Sequence, residues 1–512
     1  MPATLVNADN DPRITPWVSQ FYQRRGNRLA WCGLHGPLRQ ADLLLDALRR
    51  VQRHGLDPET YHCRDLETAL AGWRGPADRR SPQQASRLVE LDLRLTRAFL
   101  LCASHMREGR VKPDQIAENW RARVPPVDLA ALLQTALDRD QVPEALDGLR
   151  PPQPEYSRLQ EALGHYREMA GRGGWPRLPD GGRLEKGRED PGVPILRELL
   201  ASAGDWEGPA NTVQTRFDEE LAKALRRFQK RHGLKANGRV DEETRQALAV
   251  PIQVRITQLE ANLERWRWLP RDRGTRYILV RLSDYALEVV EAGATVMSMK
   301  AIVGKPYWRT PVFSCAMRHV VFNPYWYVPP GIAAEEVLPE LQQDPGYLEA
   351  KGMQVVEGQG DQARVVDPAG IAWSTIAADQ LTYGFMQSPG PQNPLGRIKF
   401  VFPNPYDVYL HDTPERGLFA RQVRDFSHGC VRLEKCLDLA VYVLGQDPKW
   451  TRESIQEAMD ADQTLQVDLP EPIPVYLLYW TAWVAADGKV QLRSDPYDLD
   501  RRLQEALEKS SN

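Results

Sequence analysis

The chain has 512 residues, is 42% hydrophobic and 26% charged, and carries a formal net charge of -3. That length gives a prior of about three or four domains, and the composition is ordinary for a globular protein with enough apolar residues for several cores. The charge balance argues against a nucleic-acid binder, which needs a basic excess. No apolar run reaches a membrane span: the longest, 475–486, is broken by Thr481 and ends at Asp487-Gly488, a hairpin-turn signal.

The N-terminus, Met1-Pro2-Ala3-Thr4, lacks a basic region followed by an apolar one, so no signal peptide is visible. This permits a cytoplasmic protein or the mature part of a secreted one. The cysteines Cys32, Cys63, Cys102, Cys315, Cys430 and Cys436 do not form a disulfide framework in so long a chain. If Cys430 stays free, an odd number remains, and redox compartment stays open.

From 16 to 172 the spacing predicts helices. Segment 37–55 carries Leu38, Leu43, Leu44, Leu48 and Val51 at helical intervals; 84–109, 127–137 and 156–170 repeat the pattern. His35, His54, His62, His105 and His165 fall here without ligand spacing and are expected at the surface or in caps. A Gly/Pro-rich link, 171–194, leads to a short helical unit. Its first helix is 193–200. Its second is capped by Asp218, with Leu221, Leu225 and Phe228 on one face, and stops at Gly233. Its third starts at Asp241, with Leu248 as apolar anchor.

From Arg276 the period changes to that of strands: 277–280, 287–290, 299–303, 319–322, 397–402 and 408–411. Between them, 332–353 reads as helical and 358–370 as a polar loop, an insertion long enough for a lid or subdomain. The chain closes with a strand at 475–484, the Asp487-Gly488 turn, a strand at 490–492 and a tail.

The chemistry concentrates at Tyr409-Leu410-His411-Asp412 and Ser427-His428-Gly429-Cys430-Val431-Arg432. Asp407, Tyr409 and His411 share one side of a strand ending, and Gly429 allows a tight turn that presents backbone N–H groups. Segment 433–445 reads as a helix with Leu433, Leu437, Ala440, Val441 and Leu444 on its apolar stripe. Cys430 is then expected just ahead of its N-terminus, where the dipole lowers a thiol pKa.

A cysteine with a histidine base is the minimal kit for acyl transfer. In that reading Cys430 is nucleophile, His411 base, and the N–H groups of Gly429 and Cys430 hold the oxyanion. Asp412 orients His411 through its carboxylate or its carbonyl, and His428 assists binding or buttresses the turn. The same residues also fit an inert buried cysteine beside a structural histidine. A zinc site from His411, His428 and Cys430 would want a fourth ligand, and no further spaced pair supplies one. Cys436 is expected to pack.

His411, fifteen intervening residues, then Ser427-His428-Gly429-Cys430, a hydrophobic residue and Arg432 resemble the signature of the L,D-transpeptidases. Arg432, where many members have Asn, resembles the large multi-domain Gram-negative branch. The segments Ala224-Leu225-Arg226-Arg227-Phe228-Gln229, Asn323-Pro324-Tyr325-Trp326-Tyr327 and His411-Asp412-Thr413-Pro414 extend the similarity along the chain. Met386, Pro394 and Arg281-Leu282-Ser283 depart from it, at positions bearing on the lid and on substrate fine-tuning.

The resemblance implies a multi-domain α+β protein. It would comprise a helical scaffold domain at 14–172 and a peptidoglycan-binding-like three-helix module at 173–252. A mostly β catalytic domain at 256–485, with a helical capping insertion at 332–385, would precede a C-terminal turn, strand and tail at 486–512. It implies that Cys430 attacks the carbonyl at the L-centre of diaminopimelate in a stem tetrapeptide and expels D-alanine. An acceptor stem's amine then resolves the thioester into a 3→3 cross-link. Asp412 would act through its main-chain carbonyl, Gly429 in the oxyanion hole, and Ser427, His428, Arg432 and Tyr409 in support or substrate binding. Neither metal nor cofactor is implied. Peptidoglycan stem peptides are the implied partners, carbapenem-type β-lactams the inhibitors, and the periplasm the location. Water as acceptor (an L,D-carboxypeptidase), a protein lysine as acceptor, and a non-catalytic wall-binding protein are the alternatives.

Overall fold

The computed structural model describes residues 14–33, 35–73, 82–117, 120, 124–209, 213–358 and 363–510. Met1-Pro2-Ala3-Thr4 and 359–362 of the expected loop lie outside them. The chain divides into two compact units, 1–272 with 480–512, and 273–479.

The first unit is mostly helical. Its larger core gathers Trp31, Leu44, Leu48, Leu95, Phe99 and Leu133 from helices that include Arg39–Arg49, Pro82–Glu108 and Leu129–Asp138. A second core, with Leu196, Leu200, Leu225, Phe228 and Leu248, joins helices Val193–Ser202, Glu219–Arg231 and Glu242–Ala249. The Asp218 carboxylate accepts the Leu221 N–H and the Asp241 carboxylate the Thr244 N–H, each satisfying a donor that a helix start leaves open.

Two of the scaffold histidines depart from expectation. His35, His62 and His165 are exposed, but His54 and His105 are buried. His54 Nδ1 meets the Tyr156 hydroxyl at 3.1 Å and Gln160 at 2.7 Å, and His105 Nδ1 meets the Tyr61 hydroxyl at 3.1 Å. Each imidazole partners a buried tyrosine hydroxyl, that of Tyr156 also accepting from Arg267 at 3.2 Å. Helix Ile252–Arg267 and the hairpin of Ala482–Val484 with Val490–Leu492 also belong to this unit. The sequence boundaries at 256 and 485 put residues of both elements in the catalytic domain, whereas the second unit runs from Arg273 to Tyr479. Buried polar bonds explain the grouping: the Glu264 carboxylate accepts the Val111 N–H at 3.0 Å, and Asn262 donates to Thr481 Oγ1 at 2.8 Å.

The second unit is built on a nine-stranded sheet. Ala294–Gly304 is followed in hydrogen-bonded order by Val431–Leu433, Leu410–His411, Ile398–Val401, Phe313–Phe322, Leu465–Leu478, Arg276–Arg281 and Ala286–Glu291. Ala286–Glu291 pairs back onto Ala294–Gly304, so these strands close on themselves and leave few edges open. Asp425–Ser427 adds to the other side of Ala294–Gly304 as a short parallel strand. Ile398, Phe400, Leu410, Val431 and Leu433 are fully buried on one face, in the alternation a strand with one packed face demands.

The insertion is not purely helical. Besides helices Leu338–Gln343 and Tyr347–Lys351 it holds Met353–Glu357, Arg364–Val366 and Gly384–Gln387, which with Trp326–Tyr327 form a four-stranded antiparallel sheet. Thus Arg364–Val366 is a strand where the sequence reads as loop. Val355 and Phe385 turn inward onto Val337, Leu338, Leu341 and Leu348, giving the subdomain its own core.

One close approach positions the site. The chain after Gly304 folds back so tightly that a Cβ there would overlap the Trp308 carbonyl oxygen and come within 2.7 Å of the Thr310 nitrogen. A side chain has no room against main-chain atoms. Gly304→Ala is expected to lower stability by about 1–3 kcal/mol, as overpacking does. A thermal midpoint equal to that of the parent protein would show the loop to be soft.

Candidate active site

Leu410–His411 runs parallel to Val431–Leu433, with Leu410 opposite Val431 and His411 opposite Arg432. On its other side Lys399 stands opposite His411. Directly opposed residues face the same way and the alternation has period two. Tyr409, His411, Cys430, Arg432 and Lys399 therefore share one face of the sheet.

Cys430 lies at the start of a strand, not at a helix N-terminus. Val431 and Leu433 bury themselves between neighbouring strands, and the helix begins only at Cys436. Its buried residues are Cys436, Leu439, Ala440, Val443 and Leu444, so the stripe is shifted from the predicted one, and Cys436 packs as expected. Burial therefore raises the Cys430 thiol pKa rather than a dipole lowering it. Opposing that rise are the Tyr409 main-chain N–H and phenol, both bonded to the sulfur, and the positive charges of Lys399 and Arg432. The thiol itself donates to the Asp407 carbonyl at 3.6 Å.

His411 is buried, and its Nδ1 lies 2.5 Å from the Asp412 carbonyl oxygen. A second main-chain contact is with Leu395. The Asp412 carboxylate does not touch the ring; it accepts the Arg397 N–H at 3.0 Å and pairs with Arg416 at 2.9 Å. Burial pushes the His411 pKa down to about 3, with the Arg432 charge adding to it. The ring is thus a neutral imidazole at neutral pH. Its hydrogen bond goes to the Asp412 main-chain carbonyl rather than to Cys430. Catalytic hydrogen bonds commonly tighten only with substrate.

The turn is wired through Ser427. Its hydroxyl donates to the Cys430 carbonyl at 2.5 Å and accepts the Gly429 N–H at 3.2 Å. That removes the Gly429 N–H from the expected pair of oxyanion donors, because a nearby hydroxyl has already taken it. The Cys430 N–H has no acceptor among the described residues. Gly429 has φ +116°, a conformation that favours glycine. His428 points from the turn to the capping subdomain: its Nε2 meets Glu336 at 2.6 Å, and its ring stands edge-on to Trp308 at 5.3 Å. Arg432 pairs with Glu415.

Three participants escaped the sequence reading. Lys399 holds its ammonium 3.7 Å from the centre of the Tyr409 ring. The detectable signal was a lysine alternating with Ile398 and Phe400 in a buried strand. Glu336 and Thr310 are distant in sequence and had no such signal.

Residues 275–457 match the family model described as "L,D-transpeptidase catalytic domain". Residues 16–163 match "Scaffold domain" and 189–248 "Putative peptidoglycan binding domain". Most of the sheet, and Tyr409, His411 and Cys430 with it, fall within the residues that match the catalytic-domain model. The chain is thus similar to the L,D-transpeptidases over its second half, beside regions similar to a scaffold domain and a peptidoglycan-binding domain. It is 35% identical over 249 residues to a Haemophilus influenzae protein named "Putative L,D-transpeptidase", covering 48% of this chain. The match spans about half of that relative's length, 49%. An L,D-transpeptidase structure from Xylanimonas cellulosilytica is similar at 14% identity over 59% of this chain and 99% of that one, with a TM-score of 0.17. One from Stackebrandtia nassauensis is similar at 12% identity over 59% and 95%, with a TM-score of 0.21. Scores so low add nothing to the fold assignment.

The histidine shifts have a stability consequence. His411 in the folded chain protonates below its unfolded value of about 6.5, so between that pH and about 3 only the unfolded chain takes up the proton. The stabilisation is complete above the unfolded value and is lost as pH falls towards the folded one. Burial acts on His54 in the same direction, down to about 2. The thermal midpoint is expected to fall from pH 7 to pH 4, less steeply in His411→Gln. Identical slopes would remove His411 from the account.

Proposed function

We propose that the protein is a peptidoglycan L,D-transpeptidase with Cys430 as nucleophile and His411 as base. The observation that carries this reading is a sheet face bearing Cys430, His411 and Tyr409 together, inside the residues that match the catalytic domain. Tyr409 supports it further, because two donors aimed at one sulfur favour a thiolate. The division into scaffold at 14–172, binding module at 173–252 and catalytic domain at 256–485 is part of the same proposal. So are its place in the periplasm and its stem-peptide partners. Among the described residues no helix is long and apolar enough to cross a membrane.

In this mechanism the Cys430 side chain turns from the Asp407 carbonyl to His411, whose Nε2 takes the proton. The Asp412 carbonyl holds Nδ1–H and leaves Nε2 as the base. The thiolate attacks the L-centre carbonyl of diaminopimelate in a donor tetrapeptide, and a carbon–sulfur bond forms as the carbonyl pair moves onto oxygen. When that pair returns, the carbon–nitrogen bond to D-alanine breaks and the imidazolium protonates the leaving amine. The acceptor stem's amine then gives its proton to His411, attacks the thioester and restores Cys430, forming a 3→3 cross-link. Ser427 and Arg432 hold the turn and strand in place, and His428 joins the turn to the cap.

With disaccharide-tetrapeptides the protein is expected to yield a 3→3 dimer and free D-alanine, and Cys430→Ala to abolish both. Full activity in that variant would end the assignment, while tripeptide without dimer would make water the acceptor. Intact-mass measurement after carbapenem treatment is expected to show one covalent adduct, absent from Cys430→Ala. An unmodified parent protein would favour a non-catalytic wall-binding role.

A further inference from the structure

We propose that Thr310 is a positioning residue for the oxyanion donor, an inference that rests on the acyl-transfer reading of Cys430. Thr310 is fully buried, and two hydrogen bonds commit its hydroxyl. Its Oγ1 accepts the Gly304 N–H at 2.9 Å and donates to the Gly429 carbonyl at 2.8 Å. A hydroxyl has a single proton, so that proton is spent on Gly429.

The Gly429 carbonyl and the Cys430 N–H belong to one planar trans peptide and point in opposite directions. Pulling the carbonyl back toward Thr310 therefore aims the Cys430 N–H away from the Gly304–Thr310 loop. The neighbouring polar groups are already engaged: the Gly429 N–H on Ser427, and the Cys430 carbonyl on the Ser427 hydroxyl. The Cys430 N–H, without an acceptor among the described residues, sits on the same residue as the attacking sulfur. An acyl carbon bound to that sulfur would carry its oxygen within reach of this donor. The relay from Gly304 N–H through Thr310 to Gly429 fixes the donor before substrate arrives, which is what makes such a donor effective. Gly304 leaves no room for a Cβ against the loop, and Gly429 takes the φ of +116° that the turn requires.

Two reactions of Cys430 separate this role from a merely structural one. Acylation by a carbapenem or a stem tetrapeptide develops an oxyanion; alkylation by iodoacetamide, a displacement at a saturated carbon, develops none. In the full chain, Thr310→Val is expected to slow acylation on the order of a hundredfold. kcat should fall with KM little changed. Alkylation of Cys430, followed by peptide mapping, should stay within about twofold, as the thiolate is not the group being misplaced. Thr310→Ser, which keeps the hydroxyl, should restore acylation. Thr310→Ala serves as the second variant if valine prevents folding, with the same readouts. Unchanged acylation in the hydroxyl-free variant overturns the proposal, and so does an equal fall in acylation and alkylation. If Cys430 of the parent protein is neither acylated nor alkylated, the nucleophile assignment itself fails, which is a different result from either.

Discussion

Two stretches of main chain lie against each other beside Cys430, and a glycine shapes each of them. Gly304 admits the folded-back loop, and Gly429 admits the turn facing it. From the contact follow the Thr310 bonds, and with Ser427 they settle which backbone groups stay available near the sulfur. No metal-like cluster of three or more His, Cys, Asp or Glu side chains occurs among the described residues. The local order is main-chain hydrogen bonding, with the side chains laid over it.

The electrostatics oppose each other. Burial works against the Cys430 thiolate, and it likewise keeps His411 neutral. Against the first of these stand Tyr409, bonded to the sulfur, and Lys399, stacked on the Tyr409 ring. The Lys399 ammonium is itself disfavoured by burial and partly rescued by Cys430 and Asp407, so cation and sulfur support each other's charged forms. A neutral histidine with a thiol whose charged form needs help describes a resting site in which the proton moves when the sulfur is engaged.

Much of this was legible in the chain itself. The period change at Arg276 and the helix caps at Asp218 and Asp241 follow from local patterns that the fold keeps, whereas the local pattern left the carboxylate and the carbonyl of Asp412 both open as the partner of His411. The misreadings have a common cause. At 433–435 helical spacing matched an apolar stripe, but Val431 to Leu433 found a better burial between two strands, and tertiary pairing overrode local period. Gly429 looked like an oxyanion donor because its amide is next to the cysteine; the Ser427 side chain, close in sequence but bent back, had taken it. His54 and His105 read as surface or capping residues because their tyrosine partners lie far along the chain. Long-range partners, such as Glu336 for His428, leave no trace in local spacing.

The capping subdomain has a core of its own, drawn from Val337, Leu341, Leu348, Val355 and Phe385, separate from the residues that line the catalytic sheet. Substitutions in the two cores have few shared neighbours, and their energetic effects should add rather than compound. Evolution can therefore redraw this subdomain without renegotiating the packing of the sheet that carries Cys430 and His411. The Glu336 contact with His428 is one stitch between those two independently variable parts.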